Sequence, residues 1–289
     1  MKCSAIDCRP LRWLAPLLLA LTGCAREVSD VFDSPVAAVY SDAADRVFVL
    51  ERGHARDAAG SAHTASIARL LPDGRTEQHR WRDGFSSQAV LAAGGDELFV
   101  ADGDQLWFFD ARSGAQRQRV VLNGTQLTDL AADDSGLVYT LDSAAHQVLR
   151  IAGERATALP LPAASKPLAI LKAADALWIL ALNSRAQAML LRHRQGEPDR
   201  QCALGEVGAQ SVLLKPDQRS VGVFDPRTQR LQRWDGQCRP LLGWRIAAGG
   251  VRPAFLPRLD RLFIPQPRSG RVAVLVAPSQ LLADGPGAL

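Results

Sequence analysis

Asp129-Leu-Ala-Ala-Asp-Asp-Ser-Gly136-Leu-Val-Tyr-Thr-Leu-Asp142-Ser-Ala-Ala-His146-Gln-Val-Leu-Arg-Ile151 is the stretch from which the fold of this chain can be read. It holds three short apolar runs, around Leu130, Tyr139 and Leu149, separated by two polar clusters. Asp, Ser and Gly in such clusters favour turns. Their short side chains bond nearby backbone, and glycine accepts positive φ. Short runs rich in β-branched and aromatic residues between turns read as strands, and no helical period competes with that reading.

The same pattern recurs along the chain. Apolar triplets appear at Val47-Phe48-Val49, Leu98-Phe99-Val100, Val138-Tyr139-Thr140, Leu177-Trp178-Ile179, Val221-Gly222-Val223 and Leu262-Phe263-Ile264, with centres 51, 40, 39, 44 and 41 residues apart. A shorter run precedes each triplet, for example Ala37-Ala38-Val39, Leu168-Ala169-Ile170 and Ala254-Phe255-Leu256. A third strand follows each, at 67–71, 106–109, 148–151, 188–191, 231–234 and 272–276. Gly turns such as Asp73-Gly74 and Ser113-Gly114 then lead into a fourth, more polar segment. Four strands in about 40 residues make the unit of a propeller blade.

Residues 129–151 resemble an NHL repeat, the blade of many six-bladed propellers, with Asp102 and Asp225 at the place of Asp142. The expected fold is therefore all-β, a six-bladed β-propeller of four-stranded antiparallel blades over residues 34–289. Each sheet must bury both faces, which explains continuous apolar runs in place of strict alternation. Phe99, Trp107, Tyr139, Trp178, Trp234 and Phe263 are expected between blades, and Asp102, Asp142 and Asp225 as turn-formers. Two segments compete for the fourth strand of the last blade, residues 279–283 and residues 27–33.

The N-terminus carries a different signal. Lys2, Arg9 and Arg12 precede a short apolar core from Trp13 to Leu21, as in a secretory leader. The core is well below the ~20 apolar residues of a spanning helix. Leu21-Thr22-Gly23-Cys24 resembles the lipobox of bacterial lipoproteins. The resemblance implies removal of residues 1–23, acylation of Cys24 and a short tether over residues 24–33. Ala25 stands where Asp would imply inner-membrane retention in enterobacterial lipoproteins, so the resemblance points to the outer membrane, with the domain expected in the periplasm and exposure at the cell surface the alternative.

Loss of Lys2, Arg9, Arg12 and Asp7 lowers the formal charge from +4 to +2. With no dense basic run in an exported chain, nucleic-acid binding is excluded. Of five cysteines, Cys202 and Cys238 are left as a candidate disulfide in an oxidising compartment, with two free thiols the alternative.

Functional residues of propellers gather around the central channel. The positions leading into each first strand are Pro35-Val36, Ser87-Gln88, Leu127-Thr128, Lys166-Pro167, Gln210-Ser211 and Arg252-Pro253, none of them acidic. Lys166, Arg252, Gln88 and Gln210 are candidates for binding an anionic group or an acidic partner segment. Relatives of the gluconolactonase type hold a divalent cation through several Glu, Asp and Asn oxygens, and Lys166 and Arg252 would repel one here. His54 and His63, with Asp57 between them, lie in an inserted loop over residues 52–66 rich in Ala, Gly and Ser. It reads first as a mobile loop, with partner binding through His54 and His63 the functional alternative and a metal site the least favoured. Nucleophile elbow, phosphate loop, His-Glu-x-x-His and Cys-x-x-Cys-His are all missing.

The expectation is a non-enzymatic, cofactor-free lipoprotein that binds outer-membrane or periplasmic proteins as a scaffold subunit. A metal-dependent lactonase or lyase, which would lose activity to a chelator, is the first alternative. A binder of small molecules or glycans is the second.

Overall fold

The structure, a computed structural model, describes residues 25–27, 30–53, 64–173, 175–215, 220–246 and 249–276. Six four-stranded antiparallel sheets make up the fold. The first strand of the chain, β1 (Ala25–Glu27), belongs to the last sheet. Blade one holds β2 (Pro35–Ser41), β3 (Arg46–Arg52), β4 (Thr64–Leu70) and β5 (Thr76–Ser86). Blade two holds β6 (Val90–Gly94), β7 (Glu97–Asp102), β8 (Gln105–Asp110) and β9 (Gln116–Val121). Blade three holds β10 (Leu127–Ala132), β11 (Val138–Asp142), β12 (Gln147–Ala152) and β13 (Arg155–Leu159).

Blade four holds β14 (Lys166–Ala173), β15 (Ala176–Leu182), β16 (Ala188–His193) and β17 (Arg200–Ala203). Blade five holds β18 (Val212–Leu214), β19 (Ser220–Asp225), β20 (Arg230–Asp235) and β21 (Pro240–Arg245). Blade six holds β22 (Ala254–Leu256), β23 (Arg261–Gln266) and β24 (Arg271–Val276), with a 3-10 turn at Pro257–Leu259 after β22. All six expected triplets sit in the second strand of a blade.

Burial follows strand order. Every residue of β11 and β19 is buried, whereas β13 is mostly exposed, so the second strands are sandwiched and the fourth strands form the rim. Phe48, Phe99 and Phe263 are fully buried at triplet centres. In blade five the equivalent Gly222 leaves no room for a Cβ, which would meet Leu231 Cδ1 at 2.9 Å and Leu214 at 3.2 Å. Those leucines fill the space that an aromatic ring fills elsewhere.

Six apolar clusters each join two neighbouring blades, the last uniting Phe263 and Val272 of blade six with Val47 and Val49 of blade one. Burying one large apolar side chain is worth about 1.5–3 kcal/mol, so these interfaces dominate cohesion.

The ring closes from the N-terminal side, through residues at the start of the expected tether and overlapping the 27–33 alternative only at Glu27. Residues 25–27 pair with β24, in the register Ala25↔Leu275 and Glu27↔Ala273, and complete blade six. The competing segment at 279–283, like residues 1–24, lies outside the described residues. A sheet edge left open at β24 would expose unpaired backbone groups, and the β1 ladder covers them.

Cys202 of β17 and Cys238, in the turn between β20 and β21, are joined by a disulfide with their Cα atoms 5.2 Å apart. The bond ties blade four to blade five inside their shared apolar cluster.

Candidate functional site

Blade-to-blade connections, the starts of the innermost strands and the turns between second and third strands share one face of the disc, here the upper face. Turns between first and second strands, and between third and fourth, lie on the lower face. The innermost strands of all six blades line a central cavity of about 320 Å³.

At the upper end, three innermost strands carry a bulge at corresponding positions, between Pro35 and Ala37, Leu127 and Asp129, and Pro167 and Ala169. Bulges add a residue and re-aim the side chain that follows. That side chain is alanine in blades one and four, and aspartate in blade three.

Asp129 is buried, and both carboxylate oxygens are engaged. Oδ2 accepts the backbone N–H of Ile170 at 2.9 Å, from neighbouring blade four. Oδ1 accepts from Arg252 Nη1 at 2.6 Å. Arg252 lies two residues before β22 of blade six, three blades away in a ring of six. The ion pair therefore spans the channel between opposite blades.

Arg252 is held at φ +34, outside the regions open to most residues, and its carbonyl accepts the Ala38 N–H of blade one at 3.0 Å. Its charge reaches farther: burial first, and then the field of Arg252, push the Arg52 guanidinium below its usual range.

Acidic residues at the ends of the second strands staple the upper face. Asp142 Oδ1 accepts N–H groups from Gln126, Ala144 and Ala145 at 3.0, 3.1 and 3.4 Å, and Oδ2 accepts from Gln147 Nε2 at 3.0 Å. Asp102 takes the N–H of Ser86 at 2.8 Å and the Ser86 hydroxyl. Glu51 takes the N–H of Asp33 at 3.1 Å.

In each case a carboxylate holds the segment that enters its own blade. In blade five a Cβ on Gly208 would sit 2.9 Å from Asp225 Oδ1, so glycine is required where that entering segment meets its acid. Asp225 also accepts the Arg227 N–H at 2.9 Å and the Thr228 hydroxyl at 3.0 Å. Asn183 performs the turn function in blade four, accepting N–H groups of Arg185 and Gln187 at 2.9 and 3.0 Å. These groups bond nearby backbone N–H groups and local Gln, Ser and Thr side chains, except that the buried Glu51 Oε1 has no hydrogen-bond partner, and none of them lines the central cavity. Among the described residues, no cluster of three His, Cys, Asp or Glu side chains is placed to hold a metal.

Of the binding candidates, Gln88, Lys166 and Gln210 are exposed on the upper rim. Arg252 is different: its guanidinium is committed to Asp129 and does not join a free cationic ring. His54, His63 and Cys24 lie outside the described residues. Asp129 is the channel residue that the sequence reading passed over, because it stands within an apolar run. Its signal was a charge where blades one and four have alanine.

Comparison with known proteins supports the fold. No family model matches this sequence. No curated protein matches it either. Among solved structures, virginiamycin B lyase from Staphylococcus aureus aligns with a TM-score of 0.58 at 12% identity, covering 87% of this chain and 98% of the lyase. A calcium-binding protein, regucalcin, from Agrobacterium tumefaciens aligns at 0.55 and 14% identity over 86% of this chain and 92% of its own. An auxiliary nutrient binding protein from Bacteroides thetaiotaomicron aligns at 0.59 and 11% identity, over 84% of this chain and 69% of its own. At such identities the likeness is one of fold, and a propeller fold hosts many activities.

Proposed function

We propose that this protein is a lipid-anchored, non-catalytic binding subunit of the bacterial envelope. Acylation at Cys24 holds it to the outer membrane, and the upper face receives a protein partner. The observation that carries the reading is the Asp129–Arg252 pair. It crosses the upper end of the channel between opposite blades and engages with each other the acid and the cation that stand there, where a propeller enzyme would need free reactive side chains. Asp102, Asp142 and Asp225 are engaged by nearby backbone and side-chain donors, and what faces outward is a rim of loops bearing Gln88, Lys166 and Gln210. Such a rim, variable loops on fixed sheets, suits recognition of a partner segment, with Lys166 favouring an acidic one. The lipobox residues supply the anchoring part, since more than one acyl chain holds firmly.

The test is photo-crosslinking in intact envelopes, with a reactive residue placed at Gln88 and, separately, at Gln210. Reproducible crosslinks to one envelope protein support the reading. Absence of any such product from both positions in correctly localised protein refutes it.

A small-molecule or glycan reading draws on one feature, a groove of about 820 Å³ on the upper part of blade four. Its lining includes Asn183, Gln187, Gln201, Glu206 and Arg227, a polar set able to hydrogen-bond a sugar. Saturable glycan binding that is lost in Gln201→Ala would favour it over the scaffold.

A further inference from the structure

We infer that the lower end of blade six is a membrane-contact edge, which holds the disc with its upper face turned away from the bilayer. The inference rests on the lipid anchoring proposed above and adds an orientation to it.

The first argument is connectivity. Cys24 is the residue before β1, and β1 is locked into the outer edge of blade six from its first residue, Ala25↔Leu275. Because β1 is antiparallel to β24, Ala25 lies beside the C-terminal end of β24, where Arg261 pairs with Val276. That end is the lower face: the turn at Pro257–Leu259, between the first and second strands of the blade, is there too. Acyl chains on Cys24 thus have no free tether between them and the disc. A single peptide step, about 3.8 Å between α-carbons, separates Cys24 from Ala25.

The second argument is the surface at that end. Among the described residues, five large apolar side chains are exposed, and two of them, Leu259 (46% exposed) and Val276 (40%), lie on the lower end of blade six. Val31 is near the opposite end of that blade, and Val121 and Leu241 are on the outer strands of other blades. Arg258, adjacent to Leu259, has a side chain 66% exposed and is paired loosely with Asp42 at 3.9 Å. An apolar tip with a flanking guanidinium fits the boundary between acyl chains and anionic headgroups, the cation on the phosphate and the leucine below it. A bilayer brought to this edge by the lipid on Cys24 would cover both apolar groups. The upper rim, with Gln88, Lys166 and Gln210, would face away, free for a partner.

The test uses the full-length lipidated protein, purified and reconstituted into vesicles of phosphatidylethanolamine and phosphatidylglycerol containing a spin-labelled phospholipid. Leu259→Cys and Ser269→Cys each carry an environment-sensitive fluorophore. Both sites are on blade six, but Ser269 is in the turn at its upper end, and one strand length of roughly 17–20 Å separates the two ends. Cys202 and Cys238 are bonded to each other and do not take the label.

The expected result is quenching by the lipid at position 259 about threefold or more above that at 269, since contact quenching falls away within one strand length. Equal quenching, or more at 269, in protein shown by mass spectrometry to carry acyl chains overturns the orientation while leaving the anchor standing. Coverage of Leu259 by a partner protein or a second copy gives that same equal result. An N-terminal peptide without acyl mass overturns the anchoring reading itself, and the membrane edge with it.

Discussion

Removing the charge at position 129 tests the cross-channel tie most directly. At an effective dielectric near 20, opposite charges about 4 Å apart attract by roughly 4 kcal/mol before desolvation is counted. Arg252 keeps 32% of its side chain exposed and Asp129 only 7%, so part of the attraction is screened and part is offset by dehydrating the carboxylate. Asp129→Ala also strands the buried Ile170 N–H, which costs about 1–3 kcal/mol. Together these place Asp129→Ala near 3 kcal/mol of lost stability. Arg252→Ala, which leaves the carboxylate with a single N–H partner, should cost about 2 kcal/mol. Asp129→Asn keeps an acceptor for Ile170 and isolates the charge, so about half the alanine effect is expected.

The assay is urea unfolding followed by tryptophan fluorescence, with Asp129→Ala/Arg252→Ala closing a double-mutant cycle. The double variant should fall short of additivity by about 1–2 kcal/mol, because its second substitution removes a partner already lost. For a domain of this size each kcal/mol lowers Tm by roughly 2–4 °C, so calorimetry gives an independent reading. Additivity within about 0.5 kcal/mol would show that the two residues are energetically independent. The cross-channel tie would then lose its basis.

Other expectations concern stability under redox and pH change. The Cys202–Cys238 bond closes a separation of 36 residues, and the chain-entropy relation gives about 4 kcal/mol; denaturation with and without reductant should show a loss of that order, and identical midpoints would count against a bond in the folded protein. Asp142 is pulled in two directions: burial would raise its pKa, but donors from Gln126, Gln147, Ala145 and Ala144 prevail and lower it. Its contribution is therefore present above the unfolded value of about 3.9 and is lost as pH falls through the lower folded value. Asp142→Asn should flatten the acid limb of the stability curve, and an unchanged limb would contradict this.

Glu51 has the opposite sign. Burial raises its pKa, outweighing the Asp33 N–H and the nearby cations, so the fold prefers the protonated form. The cost of ionisation is absent below the unfolded value of about 4.3 and complete above the folded one. Glu51→Gln should be more stable than the parent at neutral pH, with the difference closing toward acid. A gap that widens on acidification would reverse the assignment.

Much of the fold was legible because it is local. Val138-Tyr139-Thr140 and its five counterparts must be strands: each is a few residues of β-forming, apolar chain between turn formers, and neighbours in sequence settle that choice. The repeat near 40 residues then implies blades, and a six-fold repeat implies six. Cys202 and Cys238 were nominated by compartment and number, but their meeting across the boundary of blades four and five is a matter of tertiary placement.

Closure and the channel tie were decided only in three dimensions. Residues 24–33 read as a tether because they follow the lipobox, with 27–33 also one of two segments that could close the ring; residues 25–27 are a strand because β24 offers an unpaired edge and the ring brings the N-terminal side of the chain to it. Arg252 read as a cation at the channel mouth, and Asp129 drew no notice within its apolar run. They are 123 positions apart in sequence, and only a ring of six sets blades three and six face to face across a narrow channel. Turns and strands follow from nearest neighbours along the chain. Which edges pair and which charges meet depends on the number of blades and on ring closure, which no single stretch of sequence contains.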